Sequence, residues 1–190
     1  MTATTARSST TVSGTLVFTD LAGFTAFTAE RGDDAALALV ERFESIVTEL
    51  LPDDARVVKQ LGDGLFLYVP NAHEAVSAAW AFSERCANES TSDAPLWVRT
   101  GVHVGTAIAR GTDLIGHDVN IASRITALAA PSEVLASDAT RRAVEHELLD
   151  APGACLDVLF ETVGPVFVKG IDDPIRLSRV LPGVVDDCAG

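Results

Sequence analysis

One stretch restricts the possible folds more than any other, residues 56–69. The runs 56–59 and 65–69 are rich in branched and aromatic residues, and Gly62-Asp63-Gly64 between them supplies the turn chemistry of a tight reversal. This is a β-hairpin with a carboxylate at its tip, and it commits the chain to a sheet with antiparallel strands. Residues 15–20 read as a buried strand that also ends in a carboxylate, Asp20, and Gly23 then permits a sharp turn into a helix around residues 24–30. Behind Asp33 and Asp34, Leu37, Val40, Phe43, Val47 and Leu50 recur at three- and four-residue steps, which predicts an amphipathic helix ended by Pro52. Helical spacing returns over 72–83, 119–128 and 138–147. Residues 96–104 and 106–109 read as a strand pair broken at Gly105, and 133–137, 163–169 and 175–180 as further strands. Elements alternate without a regular βαβ period, so the expected class is α+β with a mostly antiparallel sheet flanked by helices. The Thr- and Ser-rich residues 1–13 are expected to form a flexible leader, 14–181 the domain and 182–190 a flexible tail.

The chain has 190 residues, and 14 Lys plus Arg against 27 Asp plus Glu give a formal charge of −13. Such a field disfavours nonspecific nucleic-acid binding, because no basic surface is present to release condensed counterions. With 47% apolar residues one compact core is affordable, yet no run approaches the roughly 18 apolar residues of a membrane helix. The first ten residues lack the apolar centre of a signal peptide, so a cytoplasmic protein without a membrane partner is expected. Cys86, Cys155 and Cys188 are odd in number and have no CxxC spacing, which argues against a disulfide framework and against zinc.

Asp20 and Asp63 are both placed where an antiparallel sheet can bring strand tips to one edge. Taken singly, each could merely stabilise a turn. Together they would repel unless a cation lay between them, and hard oxygen donors favour Mg2+ or Mn2+ in the manner of two-metal phosphoryl chemistry. After Asp20, the turn through Ala22 and Gly23 into Phe24 and Thr25 exposes N–H groups at a helix start, which suit a phosphate chain. Only two of the 14 basic residues are lysines, Lys59 before the hairpin tip and Lys169 before Gly170. In the run from Asp113 to Arg124, Asn120 and Arg124 stand four apart and share one helical face, with Ile121, Ile125 and Leu128 on another. An amide and a guanidinium projecting together suit a ribose oxygen and a phosphate, although an ordinary exposed polar face has the same pattern.

These segments together resemble the catalytic domain of the class III nucleotidyl cyclases, the family of adenylate and guanylate cyclases. Phe18-Thr19-Asp20-Leu21-Ala22-Gly23-Phe24-Thr25 is similar to the first metal motif and Lys59-Gln60-Leu61-Gly62-Asp63-Gly64 to the second. Residues 113–124 resemble the transition-state helix, and Val166-Phe167-Val168-Lys169-Gly170 the late phosphate-contacting segment. The resemblance implies a ferredoxin-like βαββαβ core with added elements, working as a homodimer with sites at the subunit interface. It further implies that Asp20, Asp63 and the carbonyl of Leu21 hold two divalent cations, Mg2+ or Mn2+. Lys59 and Asp113 would read the base, Asn120 would orient the ribose and Arg124 would stabilise the phosphorus. Lys169 and the backbone of Ala22, Gly23, Phe24 and Thr25 would meet the phosphates. The substrate implied is ATP, since guanylate cyclases place Glu and a small residue such as Cys at the two base positions. A cyclase-like module without turnover usually loses a metal Asp or the Arg, and this chain keeps them. The GG[DE]EF hairpin of cyclic dinucleotide synthases is not matched by residues 61–65. A basic residue found in some members at the start of the strand 133–137 is here Glu133.

Overall fold

The computed structural model describes residues 10–150, 157–168 and 170–183. The elements run β1 (Thr10–Leu21), α1 (Phe24–Arg31), α2 (Asp33–Glu49), β2 (Arg56–Gln60), β3 (Gly64–Val69), α3 (Ala72–Glu89), β4 (Val98–Arg110) and β5 (Asp113–Ile115). They continue with α4 (His117–Leu128), β6 (Glu133–Ser137), α5 (Asp138–Asp150), β7 (Val158–Val166) and β8 (Ile175–Pro182). The sheet has the order β2-β3-β1-β4-β6-β8-β7, with β5 paired to the far end of β4. All pairings are antiparallel except β4 with β6. Strands β1 to β4 with their intervening helices form the ferredoxin-like βαββαβ unit, and the α+β class follows from the same order.

Alternation along β1 explains the layering. Val17 and Leu21 face the helices α2 and α3, where Phe43, Ile46, Val47, Val76 and Phe82 are almost fully buried. Burying each such side chain contributes about 1.5–3 kcal/mol. Leu16 and Phe18 point to the opposite face, where Leu16, Phe66, Leu114 and Ala122 pack together and the rings of Phe18 and Phe66 stack with centroids 4.3 Å apart.

Five expectations need correction. The strand expected to begin at residue 15 begins at Thr10, so the leader of 1–13 overlaps β1: Thr10 to Ser13 pair with Ala109 to Thr106 on β4, satisfying backbone groups that their polar side chains disguise. The tail of 182–190 likewise loses Pro182 to β8, where it pairs with Val158. Gly105 does not break a strand pair, because β4 runs unbroken through it. Leu37 and Leu128, counted on apolar faces, are exposed, and the buried stripe of α2 is Ala36, Leu39, Phe43, Ile46 and Val47. Of the segment 163–169 expected as a strand, β7 takes residues up to Val166 and starts earlier, at Val158. Cys86 is a buried thiol whose pKa is pushed up to about 12 by burial, which makes it inert at neutral pH. Cys155 and Cys188 lie outside the described residues. No helix among the described residues is long and apolar enough to cross a membrane.

Candidate active site

Asp20 stands opposite Gly64 on β3 and Arg99 on β4, one residue before β1 ends. The hairpin tip is fastened to it by the backbone: the N–H of Leu21 donates to the carbonyl of Asp63 at 3.1 Å. Gly64 permits this approach, since a Cβ there would lie 2.9 Å from the Thr19 carbonyl and 3.1 Å from the Asp20 Cβ. Asp20 and Asp63 therefore line one small cavity of 140 Å³ with Leu61, Gly64, Ser123 and Thr126.

The electrostatics of that cavity match its contents. Burial first, and the neighbouring Asp20 carboxylate second among the raising influences, push the Asp63 pKa above its ordinary value, while Arg99 opposes them. Arg99 donates from Nε to Asp20 Oδ1 at 2.8 Å. It is the residue that sequence reasoning missed; a charged side chain inside the apolar run Leu96-Trp97-Val98-Arg99 was the available signal. Two hard carboxylates held together against their repulsion suit a divalent cation. No group of three His, Cys, Asp or Glu side chains with metal-binding geometry occurs among the described residues; backbone carbonyl, water and substrate oxygens are the other hard donors such a cation takes.

Beyond the cavity, β1 passes through Ala22 and Gly23 into α1. Gly23 caps the helix in the left-handed conformation, φ 80°, without a side-chain bond, and the first intrahelical bond there is from Phe27 to the Gly23 carbonyl. The amides of Phe24 and Thr25 thus precede the helical ladder. Ala22 does not fit the expected phosphate contact, because its N–H already donates to the Trp97 carbonyl at 2.7 Å.

The two expected base readers form a separate constellation. A register shift between Val57 and Lys59 brings Lys59 opposite Phe66, and Lys59 Nζ lies 2.9 Å from Asp113 Oδ2. Arg56 ties the same two segments together by donating to the Thr112 carbonyl at 2.9 Å. Lys59 holds the Asp113 carboxyl below its usual range, so Asp113 is ionised at neutral pH.

Helix α4 lies flat on β4. A Cβ at Gly101 would be 2.4 Å from the Thr126 amide nitrogen, and one at Gly105 would be 2.4 Å from Asp118 Oδ2. With that face pressed to the sheet, Asn120 and Arg124 are exposed, and neither side chain makes a hydrogen bond or ion pair among the described residues. The structure brings Asp20 to Asp63 and Lys59 to Asp113, and it gathers neither Asn120, Arg124 nor the base pair into the carboxylate cavity. Lys169 lies outside the described residues. Glu133 has a structural occupation, accepting from Arg179 Nε at 2.6 Å and from the Ala130 amide at 2.8 Å. His103 is buried against Ser137, and burial lowers its pKa.

The family model for the adenylate and guanylate cyclase catalytic domain matches residues 6–178. A pH-sensitive adenylate cyclase of Mycobacterium tuberculosis is 30% identical over 176 residues, 93% of this chain and 42% of the relative. An adenylate cyclase of Streptomyces griseus is 34% identical over 131 residues, 68% of this chain and 32% of the relative. The chain thus spans less than half the length of these relatives. The crystal structure of the adenylyl cyclase CyaB from P. aeruginosa superposes with a TM-score of 0.77 at 21% identity, covering 95% of this chain and 99% of that one. The catalytic core of a rhodopsin-guanylyl cyclase with converted specificity, solved with ATPalphaS, gives 0.75 at 20% identity, covering 93% and 99%. At these identities the structures speak for the fold, while the family model and the curated relatives place the sequence: the chain belongs to the class III nucleotidyl cyclase catalytic domain family.

Proposed function

We propose that the chain is an adenylate cyclase catalytic domain that converts ATP to 3′,5′-cyclic AMP and pyrophosphate at sites shared across a homodimer. The observation that carries this reading is the division of the groups on one chain. The carboxylate pair Asp20 and Asp63 shares a cavity, the pair Lys59 and Asp113 stands elsewhere, and Asn120 and Arg124 face outward without partners among the described residues. A second copy set head to tail would bring its outward groups to this copy's carboxylates.

In that arrangement the ammonium of Lys59 donates to adenine N1 and the carboxylate of Asp113 accepts from N6. Guanine reverses both requirements, and each unmade contact costs about 1–3 kcal/mol. Two Mg2+ or Mn2+ ions held by Asp20, Asp63 and the Leu21 carbonyl would ease loss of the 3′-hydroxyl proton and offset charge on the triphosphate. Asn120 orients the ribose so that its 3′ oxygen lies in line with the α-phosphorus. The new bond joins that oxygen to phosphorus, the bond from phosphorus to the bridging β oxygen breaks, and the 3′ proton leaves to solvent. The guanidinium of Arg124 stabilises charge gathering on the phosphoryl oxygens. Phe24 and Thr25 offer amides to the phosphates, and Lys169 a charge.

The decisive experiment incubates purified protein with ATP and Mn2+ and follows cyclic AMP and pyrophosphate. Asp20→Ala and Arg124→Ala chains should each be inactive alone, and their mixture should recover one working site per heterodimer. A mixture that stays inactive although heterodimers form refutes the shared site. ATP binding without product in the wild type leaves a silent nucleotide-binding regulatory module instead.

A further inference from the structure

We propose that Asp118 is a positioning residue that fixes the roll of α4 on the sheet, and with it the direction of Asn120 and Arg124. The proposal rests on the cyclase reading for what those two residues then do.

Asp118 lies in the first turn of α4 and points into the gap left by Gly105, where even a methyl group would collide with its carboxylate. Oδ2 accepts from the Thr106 amide at 2.6 Å and from the Thr106 hydroxyl at 3.2 Å. Oδ1 lies 3.7 Å from Nε2 of His103, a buried residue whose Nδ1 meets the Ser137 hydroxyl at 2.8 Å. Ser137 in turn accepts from the Thr140 amide at 3.2 Å at the start of α5. The carboxylate is therefore backed by a buried chain of groups from β4, β6 and α5. Although the Asp118 side chain is a quarter exposed, its Oδ2 is engaged by Thr106 and is not free to take a ligand. The other end of α4 is held differently, by the Thr126 hydroxyl donating to the Phe18 carbonyl at 3.1 Å.

At 100° per residue, Asn120 and Arg124 stand about 200° and about 240° around the helix from Asp118, which is the side away from the sheet. An inward tether at Asp118 thus sets the outward bearing of both. At the helix surface, about 5–6 Å from the axis, a roll of about 10° displaces a group by about 1 Å. Misplacement on that scale costs about 10²-fold in rate. Lys59 and Asp113, which read the base, stand on β2 and β5 rather than on α4, so the base-binding part of substrate affinity does not pass through this contact.

Asp118→Ala, Asp118→Asn and Gly105→Ala are compared in the full chain by steady-state ATP cyclisation with Mn2+ and by amide hydrogen exchange of residues 119–126 without nucleotide. Asp118→Ala and Gly105→Ala should lower kcat about 10²-fold while KM stays within about 3-fold. Both should speed exchange in the first two turns of α4 by about 10-fold or more. Asp118→Asn keeps an oxygen for the Thr106 amide and should recover most of both losses, which global misfolding would not allow. Wild-type kcat and wild-type protection in Asp118→Ala overturn the proposal, as does a loss confined to KM. If the wild type makes no cyclic AMP, the cyclase reading falls by itself and exchange alone decides the tether: faster exchange upholds it and unchanged protection overturns it.

Discussion

Exchanging Lys59→Glu together with Asp113→Cys separates base selection from folding. The two side chains meet at 2.9 Å but remain 51% and 34% exposed. A salt bridge in such a position contributes about 0–1 kcal/mol to stability. For a chain of this size that corresponds to a fall in Tm of at most about 2–4 °C. The consequence for the nucleotide is larger. In the proposed dimer each of the two contacts to adenine would be a hydrogen bond to a charged group in a site closed by the partner, and its loss would cost about 1–3 kcal/mol. Two losses give about 2–6 kcal/mol, a fall in kcat/KM for ATP of about 30-fold to 10⁴-fold at 1.4 kcal/mol per decade. The introduced carboxylate accepts from guanine N1–H, so GTP should lose nothing comparable. Equal ATP and GTP are supplied with Mn2+, the two cyclic products are quantified together, and thermal unfolding is run on the same preparation. A folded double variant with the wild-type product ratio refutes the assignment of Lys59 and Asp113.

Asp63→Asn should raise the Tm of the protein in divalent-free buffer at pH 7–8. The folded pKa of Asp63 lies above its unfolded value, so its stabilising contribution is full below the unfolded pKa and is lost as pH rises through the folded one. The gain on substitution should accordingly vanish near pH 4 and below, while calorimetric titration with Mn2+ should show binding abolished; a lower Tm at neutral pH would refute the repulsion argument. Gly101→Ala places a methyl 2.4 Å from the Thr126 amide nitrogen and 2.9 Å from the Ala122 carbonyl, both backbone atoms. Overpacking there should cost about 1–3 kcal/mol and move α4 off β4, lowering Tm by several degrees and kcat by about 10²-fold. Unchanged melting and turnover would show that α4 is not seated as described.

The hairpin and the strand ending at Asp20 were legible because their signals are local: turn residues between branched runs, and a carboxylate before a glycine. The meeting of Asp20 with Asp63 was legible only as a possibility of sheet topology, since it depends on β3 pairing with β1 in one register. Arg99 was not legible as the partner of Asp20, 79 positions earlier in the chain, because that contact exists only once β1 and β4 are aligned. Gly105 shows the same limit from the other side. In sequence it is punctuation, whereas in the fold it is the absent Cβ that admits Asp118. The polar start of β1 failed for a further reason. Thr10 to Ser13 gain their order from ladder bonds to β4 rather than from burial, and a hydrophobic pattern does not record such bonds.

The pairing of Asp20 with Arg99 resolves how the sheet tolerates its own site. A chain of charge −13 carries two carboxylates in a cavity of 140 Å³, and the burial of Asp63, with the neighbouring Asp20 charge as a smaller contribution, raises the Asp63 pKa. Arg99, fixed opposite Asp20 by strand register, neutralises one of the two and leaves the other to bear the desolvation. Cations entering the cavity would compete with that guanidinium for Asp20. Removing Arg99 therefore acts in two directions: the cation-free fold should lose stability, and divalent binding should tighten because no internal cation has to be displaced. Arg99→Gln should melt earlier than wild type without divalent ions and gain more on adding Mn2+, both read in one thermal titration. If the Mn2+ increment were smaller than in the wild type, Arg99 would be supporting the cation site and not substituting for its occupant.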